Sequence, residues 1–423
     1  MKYAVDPLDI YAEISPTQLG EPPHPGVDRT PGAKTNGSAF KSGTKLMVLA
    51  SPFQERADYS NPVPYVLYKA MADLNVEIKS FRVRRLIFGT WDIWHLHWPA
   101  EHIQLDHRRL LVIFRLVAFL VKVKIAKLKS VKIFWTVHNL SPHEIRHPAL
   151  HKLFLRMFLP NVDGLILMSS AAEEIIRCEY LLSESCQTFV IPHGHYRGLY
   201  PDSIDRMAAR ERLGLAHSDF VILFFGLIRA YKNVPNLIRC FRVASIPGSC
   251  LVVAGKPWDN DVFVRTHEAS AGDPNIRLHL ESVSQESVQY YLRAADLIAL
   301  PYTKVLNSGA ALLALSFDRP VLLPALGAMP ELYEMVGEHW VRLYEGDLTP
   351  GILRSAIQWT RQRQTNKSDQ PSLSSLDWTR LAKLTIEAFC NVTVHNDNSQ
   401  TGRRCDHQRL QVTRNADYEN PQS

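Results

Sequence analysis

Two series of short, unbroken apolar runs, each run followed by a longer helical pattern, limit what this chain can fold into. The first series is KLMVLAS (45–51), VEIKSF, DIWHLHW, KIFWTVHN, GLILMS and FVIPHG. The second is FVILFFG (220–226), CLVVAG (250–255), IRLHLE (276–281), LIALPY (297–302) and PVLLPA (320–325). A strand wetted on one face alternates apolar and polar residues, whereas a continuous apolar run belongs to a strand covered on both faces. Short buried strands separated by helices predict parallel sheets with helices on either side. The class is therefore α/β, with two doubly wound Rossmann-like domains facing each other across a cleft. The length of 423 residues agrees, being more than one ordinary core accommodates.

Residues 1–43 are rich in Pro, Gly, Ser and Thr and read as a flexible N-terminal arm. The first domain spans 44–200 and the second 201–375. An amphipathic helix follows over 376–392, carrying Leu376, Trp378, Leu381, Leu384 and Ile386, and the polar stretch 393–423 reads as a disordered tail. Six cysteines without CxxC spacing suit reduced thiols in a cytoplasmic setting. The acidic, interrupted N-terminus is not a secretory signal. The most apolar window, Leu110 to Val121, contains Arg115 and falls short of the about 20 residues a spanning helix needs, so a soluble or peripheral protein is expected. A net charge of +6 permits an anionic partner, but no recognised nucleic-acid module accompanies it.

Two motifs carry chemistry in the second domain. In FFGLIRAYKN (224–233) an apolar strand ends at Gly226, and Arg229 and Lys232 follow at three and six residues. Glycine lets a ligand approach the backbone, and two cations close behind can neutralise a pyrophosphate. The bland alternative is a surface loop with two solvated cations. In LPYTKVLNSGAALLALSF (300–317), a strand ends at Tyr302 and Asn307-Ser308-Gly309 opens an apolar helix. A capped helix start offers amides to a phosphate, although a plain capped core helix would read the same. No GxGxxG is present, which disfavours a dinucleotide-dependent oxidoreductase.

In the first domain, His138 and Asn139 end the strand KIFWTVHN, where open α/β sheets place their ligands. His143 and Glu144 follow, Asp58 lies in the loop after the first strand, and His95 and His97 share one face of DIWHLHW. Either of that last pair could equally be a satisfied core histidine. The segment 108–132 is an acid-free mixture of cations and apolar residues. It suits an anionic membrane interface, or alternatively a helix whose cations are merely solvated.

Strand–Gly–x–x–Arg–x–x–Lys, the apolar helix, the Pro-Val strand and Pro330-Glu331 resemble the C-terminal donor domain of the glycosyltransferase B superfold. The resemblance covers residues 44 to 392. HLHWP (95–99), WTVHNLSPHE (135–144) and NSGAALLALSFDRPVLLPALGAMPEL (307–332) resemble bacterial exopolysaccharide glycosyltransferases of the xanthan-type GDP-mannose:glycolipid 4-β-mannosyltransferase kind. The resemblance implies an acceptor-side first domain, a donor-binding second domain and a last helix that crosses back. It implies a nucleotide-sugar donor, GDP-mannose, held by Gly226, Arg229, Lys232, Tyr302, Asn307, Ser308, Gly309 and Glu331. It also implies a lipid-linked saccharide acceptor at the inner face of the cell membrane, with no cofactor, no metal and no nucleic acid. One departure stands out. The two carboxylates of the large retaining family fall on Val305 and Leu313 here, which points to inversion. Glu144 is then the expected base, with His138 on the sugar or phosphate and His97 beside them. A retaining enzyme using a UDP-sugar and a non-catalytic nucleotide- or carbohydrate-binding homologue remain as alternatives.

Overall fold

The computed structural model describes residues 45–53, 62–100, 108–138, 147–179, 182–363 and 369–394. Its first sheet holds β1 (Met47–Ser51), β2 (Glu77–Ser80), β3 (Ile93–Leu96), β4 (Lys132–Val137), β5 (Gly164–Leu167) and β6 (Gln187–Val190). All neighbours are parallel, in the order β2-β1-β3-β4-β5-β6. The crossovers carry α1 (Pro62–Asp73), α2 (Val83–Phe88), α3 (Arg109–Leu128), α4 (Pro148–Phe158) and α5 (Ser170–Glu179). Val48, Leu49 and Ala50 are successive and all fully buried, as a strand sandwiched between two helical layers requires.

The second sheet is parallel too, in the order β12-β11-β10-β7-β8-β9. Its strands are β7 (Phe220–Phe225), β8 (Ser249–Ala254), β9 (Ile276–His279), β10 (Leu297–Ala299), β11 (Val321–Pro324) and β12 (Val341–Tyr344). Around it pack α6 (Arg206–Arg212), α7 (Val234–Ala244), α8 (Asn260–Ser270), α9 (Gln285–Ala294), α10 (Gly309–Ser316), α11 (Met329–Val336) and α12 (Pro350–Gln362). Strand order reverses beside β1 in the first sheet, between β1 and β3. In the second it reverses beside β7, between β7 and β10. Flanking crossovers leave on opposite faces at such a point, which opens a crevice at the carboxyl ends of the strands.

The sequence reading passed over α2 and β12. β12 is an edge strand with Arg342 exposed, so it lacks the continuous apolar run, and α2 is six residues long. The last helix, α13 (Trp378–Val394), returns to the first domain and shares a core cluster with α1, β1 and β4 through Leu381, Ala382 and Phe389. Trp378 begins it, donates its indole N–H to the His195 carbonyl (2.8 Å), and lies so close to Gly194 that a Cβ there would be 2.4 Å from the ring. The four cysteines whose side chains are described, Cys186, Cys240, Cys250 and Cys390, are free thiols. Trp378→Ala should cost about 3–5 kcal/mol, because the ring is buried against Gly194 and its truncation leaves a cavity in the core. Urea unfolding followed by circular dichroism checks this, and an unchanged midpoint would mean that α13 is not anchored through this ring.

Candidate active site

At the second reversal point, β7 runs out at Gly226 with a backbone φ of +114°, a value that favours glycine. β8 runs out at Gly255, where a Cβ would lie 2.2 Å from the Gly226 carbonyl oxygen. The two strand ends therefore approach closely because Gly255 carries no side chain. Their loops stay paired: the Ile228 amide bonds the Lys256 carbonyl (2.9 Å) and the Trp258 amide bonds the Ile228 carbonyl (2.8 Å). Trp258 thereby lies under Arg229, whose guanidinium is 3.8 Å from the ring centroid. Lys232 folds back so that its ammonium is 3.6 Å from where a Gly226 Cβ would be and 5.9 Å from the ring centroids of Phe224 and Tyr302. Burial, helped by the charge of Arg229, pushes the Lys232 ammonium down to about 8.

The loop after β10 meets this one through the Thr303 amide and the Tyr231 carbonyl (2.8 Å). Between them is a cavity of about 110 Å³, lined by Lys232, Tyr302, Asn307, Ser308 and Gly309 among others. Ser308 caps α10 by accepting from the Ala311 amide (3.1 Å), so the first amides of that helix open onto the cavity. The Asn307 side-chain nitrogen is buried there with no hydrogen-bond partner among the described residues. Among the described residues no acidic side chain lines the cavity. Val305 forms part of its wall and Leu313 is buried in α10. A larger cavity of about 420 Å³ lies at the opposite end of the sheet, beside Phe220 and Pro320 where β7 and β11 begin, remote from all these loops.

The first reversal point is built from neutral polar groups. β3 and β4 present His95, His97 and Thr136 to one face, and α1 lowers Tyr68 onto them. The Tyr68 hydroxyl is 2.9 Å from His95 Nδ1 and 2.8 Å from His97 Nε2. His95 Nε2 is 2.7 Å from Thr136 Oγ1, and His97 Nδ1 is 2.8 Å from His138 Nε2. Trp98 stacks on His138 with centroids 4.3 Å apart. Burial holds all three imidazoles neutral: His95 is lowered to about 3, and His97 and His138 lie well below the usual range, with neighbouring imidazoles adding to the effect. His95 thus acts as a core histidine bonded to its neighbours, while His97 links the core to His138 at the strand end.

The two crevices are joined by direct contacts. Leu306 packs against the first-domain core. The Tyr196 hydroxyl would lie 2.8 Å from a Cβ on Gly309, so the helix start fits only without a side chain. Glu331 was expected at the donor. Its carboxylate instead accepts from the Ser170 and Ala171 amides (3.2 and 3.0 Å) at the start of α5 and holds the domains together. Both oxygens are therefore occupied away from the cavity, with the favourable charge of a carboxylate at a helix N-terminus. Arg229 stands beside the cavity rather than in its wall. Glu144, together with Asp58, Asn139 and His143, lies outside the described residues.

No protein-family profile matches the sequence. The chain is 29% identical over 345 residues to a GDP-mannose:glycolipid 4-beta-D-mannosyltransferase of Xanthomonas campestris pv. campestris, covering 82% of this chain and 92% of that protein. Among solved structures it is similar to WaaG, a glycosyltransferase involved in lipopolysaccharide biosynthesis (TM-score 0.52, 12% identity, 85% of this chain and 100% of the other). It is equally similar to Anabaena HepE in complex with UDP (TM-score 0.52, 14% identity, 85% and 100%). The chain is a glycosyltransferase of the glycosyltransferase B fold.

Several groups that build the glycosyltransferase's crevices were not singled out from the sequence: Tyr68, Thr136, Trp98, Tyr196, Trp258 and Gly255. Gly255 had a readable signal, since CLVVAG ends in glycine as FVILFFG does, while Trp98 and Thr136 entered only within the stretches HLHWP and WTVHNLSPHE. Acidification checks the first crevice. An unfolded chain's histidine titrates near about 6.5, so the two fully buried rings, His95 and His97, leave stability intact above that pH. The part due to His95 is then lost as pH falls towards about 3, by about 1.4 kcal/mol per unit, and His97 adds a loss of the same sign. Urea midpoints at pH 7.5 and 5.5 should differ accordingly, and equal midpoints would show that these rings accept protons without unfolding.

Proposed function

We propose that the enzyme transfers mannose from GDP-mannose to a lipid-linked saccharide in exopolysaccharide synthesis, with inversion, at an anionic membrane surface. The observation that carries this reading is the cavity whose described lining holds no acid, where Lys232 and the first amides of α10 converge at the strand-order reversal with Arg229 beside them. A nucleoside diphosphate develops negative charge as it leaves, and preorganised donors of this kind stabilise that charge. The similarity to a mannosyltransferase along 92% of its length supports the choice of donor and acceptor. Val305 and Leu313 supply no carboxylate on the donor side, which supports attack from the opposite face with Glu144 as base.

Purified enzyme given GDP-mannose and a lipid-linked saccharide should release GDP and form a β-linked product, read from the anomeric coupling by proton NMR. Arg229→Ala and Lys232→Ala should each lower donor kcat/KM by about ten- to a hundredfold, as the loss of a charge-assisted bond to phosphate does. Donor affinity should also fall as pH rises through about 8, because the free enzyme loses the Lys232 proton there while the phosphate complex retains it. Lys232→Arg should remove that dependence. An α-linked product would overturn inversion, and full activity in a folded double mutant would overturn the donor site.

The membrane reading rests on α3. Leu110, Phe114, Val117, Val121 and Leu128 are all more than half exposed along it, and Phe88 at the end of α2 is 81% exposed. No helix among the described residues is long and apolar enough to cross a bilayer, so these side chains suit insertion into its surface. The cations of the segment do not all face outward. Lys127 pairs with Asp163 (2.8 Å), Lys129 bonds the Ile87 and Gly89 carbonyls, and Lys124 bonds Asn161. The apolar stripe is therefore the sharper test. Leu110→Ser, Phe114→Ser and Val121→Ser together should release the enzyme from vesicles containing phosphatidylserine in a sedimentation assay while leaving transfer to a water-soluble acceptor unchanged. Wild-type enzyme that ignores such vesicles in low salt would overturn this part.

A further inference from the structure

The hydrogens of the buried chain Thr136–His95–Tyr68–His97–His138 can be counted. Every ring in it is neutral, so each imidazole has one N–H and one bare nitrogen. Thr136 is 4% exposed, and His95 Nε2 is the partner of its hydroxyl among the described residues. If Thr136 donates, His95 Nε2 is the acceptor and His95 donates from Nδ1 to the Tyr68 oxygen. Tyr68 then gives its one hydrogen to His97 Nε2, and His97 donates from Nδ1 to His138 Nε2. In the opposite direction His95 donates to Thr136, and the threonine hydrogen is left buried without an acceptor. Such groups are rarely left unpaired in folded proteins.

We propose that Thr136, His95, Tyr68 and His97 are positioning residues forming a one-way hydrogen-bond chain that fixes His138 as its Nδ1–H tautomer, a donor to an oxygen of the bound sugar or phosphate and not a base. His138 Nε2 is occupied by His97, and Nδ1 is the ring nitrogen left for the crevice. A bare nitrogen is what a general base needs, and here it is already filled from behind. This assignment rests on the proposed transfer reaction for its meaning, and it leaves proton removal to another group, such as Glu144. The fixed ring also explains the stacking of Trp98 on His138, which holds its plane without offering it a charge.

Long-range proton–nitrogen NMR of the full chain with ¹⁵N-labelled histidine reports each tautomer without any turnover, and His138→Gln identifies the signal. In the wild type at pH 7.5, Nδ1 of His138 should carry the proton and Nε2 should be bare. Thr136→Val removes the hydrogen that sets the direction, so His138 should shift to a mixture of tautomers and kcat should fall severalfold. Thr136→Ser should restore both. A wild-type His138 protonated at Nε2 would overturn the proposal outright, as would a Thr136→Val spectrum identical to the wild type. If the tautomer is as stated but no sugar is transferred, the proposed function fails and the chain stands.

Discussion

Each sheet grows in two directions from its first strand, and the two functional crevices follow from that constraint. Right-handed crossovers place the helices after β1 and β3 on opposite faces of the first sheet, and likewise those after β7 and β10 in the second. The loops must part at these points, and the polar groups collected there sit at the carboxyl ends of strands whose bodies are wholly apolar. In the second domain the parted loops are tied again across the gap by Thr303 and Tyr231, and across the neighbouring strand ends by Gly226 and Gly255. Lys232 folds back towards the end of β7, its ammonium near the Phe224 and Tyr302 rings.

The strands were legible because a parallel sheet covered on both faces writes continuous apolar runs into the chain. β12 was not, since its outward residues at an edge break the run, as Arg342 does. Gly226, Arg229, Lys232, Ser308 and Gly309 were legible as a group because each lies within a few residues of a strand end or helix start. Tyr68 and Thr136 were not: a tyrosine inside an amphipathic helix and a threonine inside an apolar strand look like ordinary core positions. Their importance comes from meeting His95 and His97 across 27 to 41 residues of sequence, which no local pattern encodes. Glu331 shows the converse. The resemblance placed it at the donor, whereas in the structure its carboxylate accepts from the amides at the start of α5.

The two crevices differ in charge, and the difference suits their proposed roles. Cations gather on the donor side, where burial lowers the Lys232 ammonium, Arg229 stacks on Trp258, and no carboxylate among the described residues lines the cavity. Burying an ammonium is costly, and a diphosphate in the proposed donor site would relieve that cost at Lys232. The acceptor side gathers imidazoles that burial keeps neutral. A cationic histidine at that strand end would compete with Lys232 and Arg229 for the phosphates and draw the donor towards the wrong wall. A neutral N–H orients a sugar or phosphate oxygen by direction alone and leaves the neutralisation of the diphosphate's charge to the opposite domain. The buried chain behind His138 therefore does more than fill the core under α1: keeping four polar side chains mutually satisfied in a dry layer is what allows a histidine to serve at the cleft without its charge.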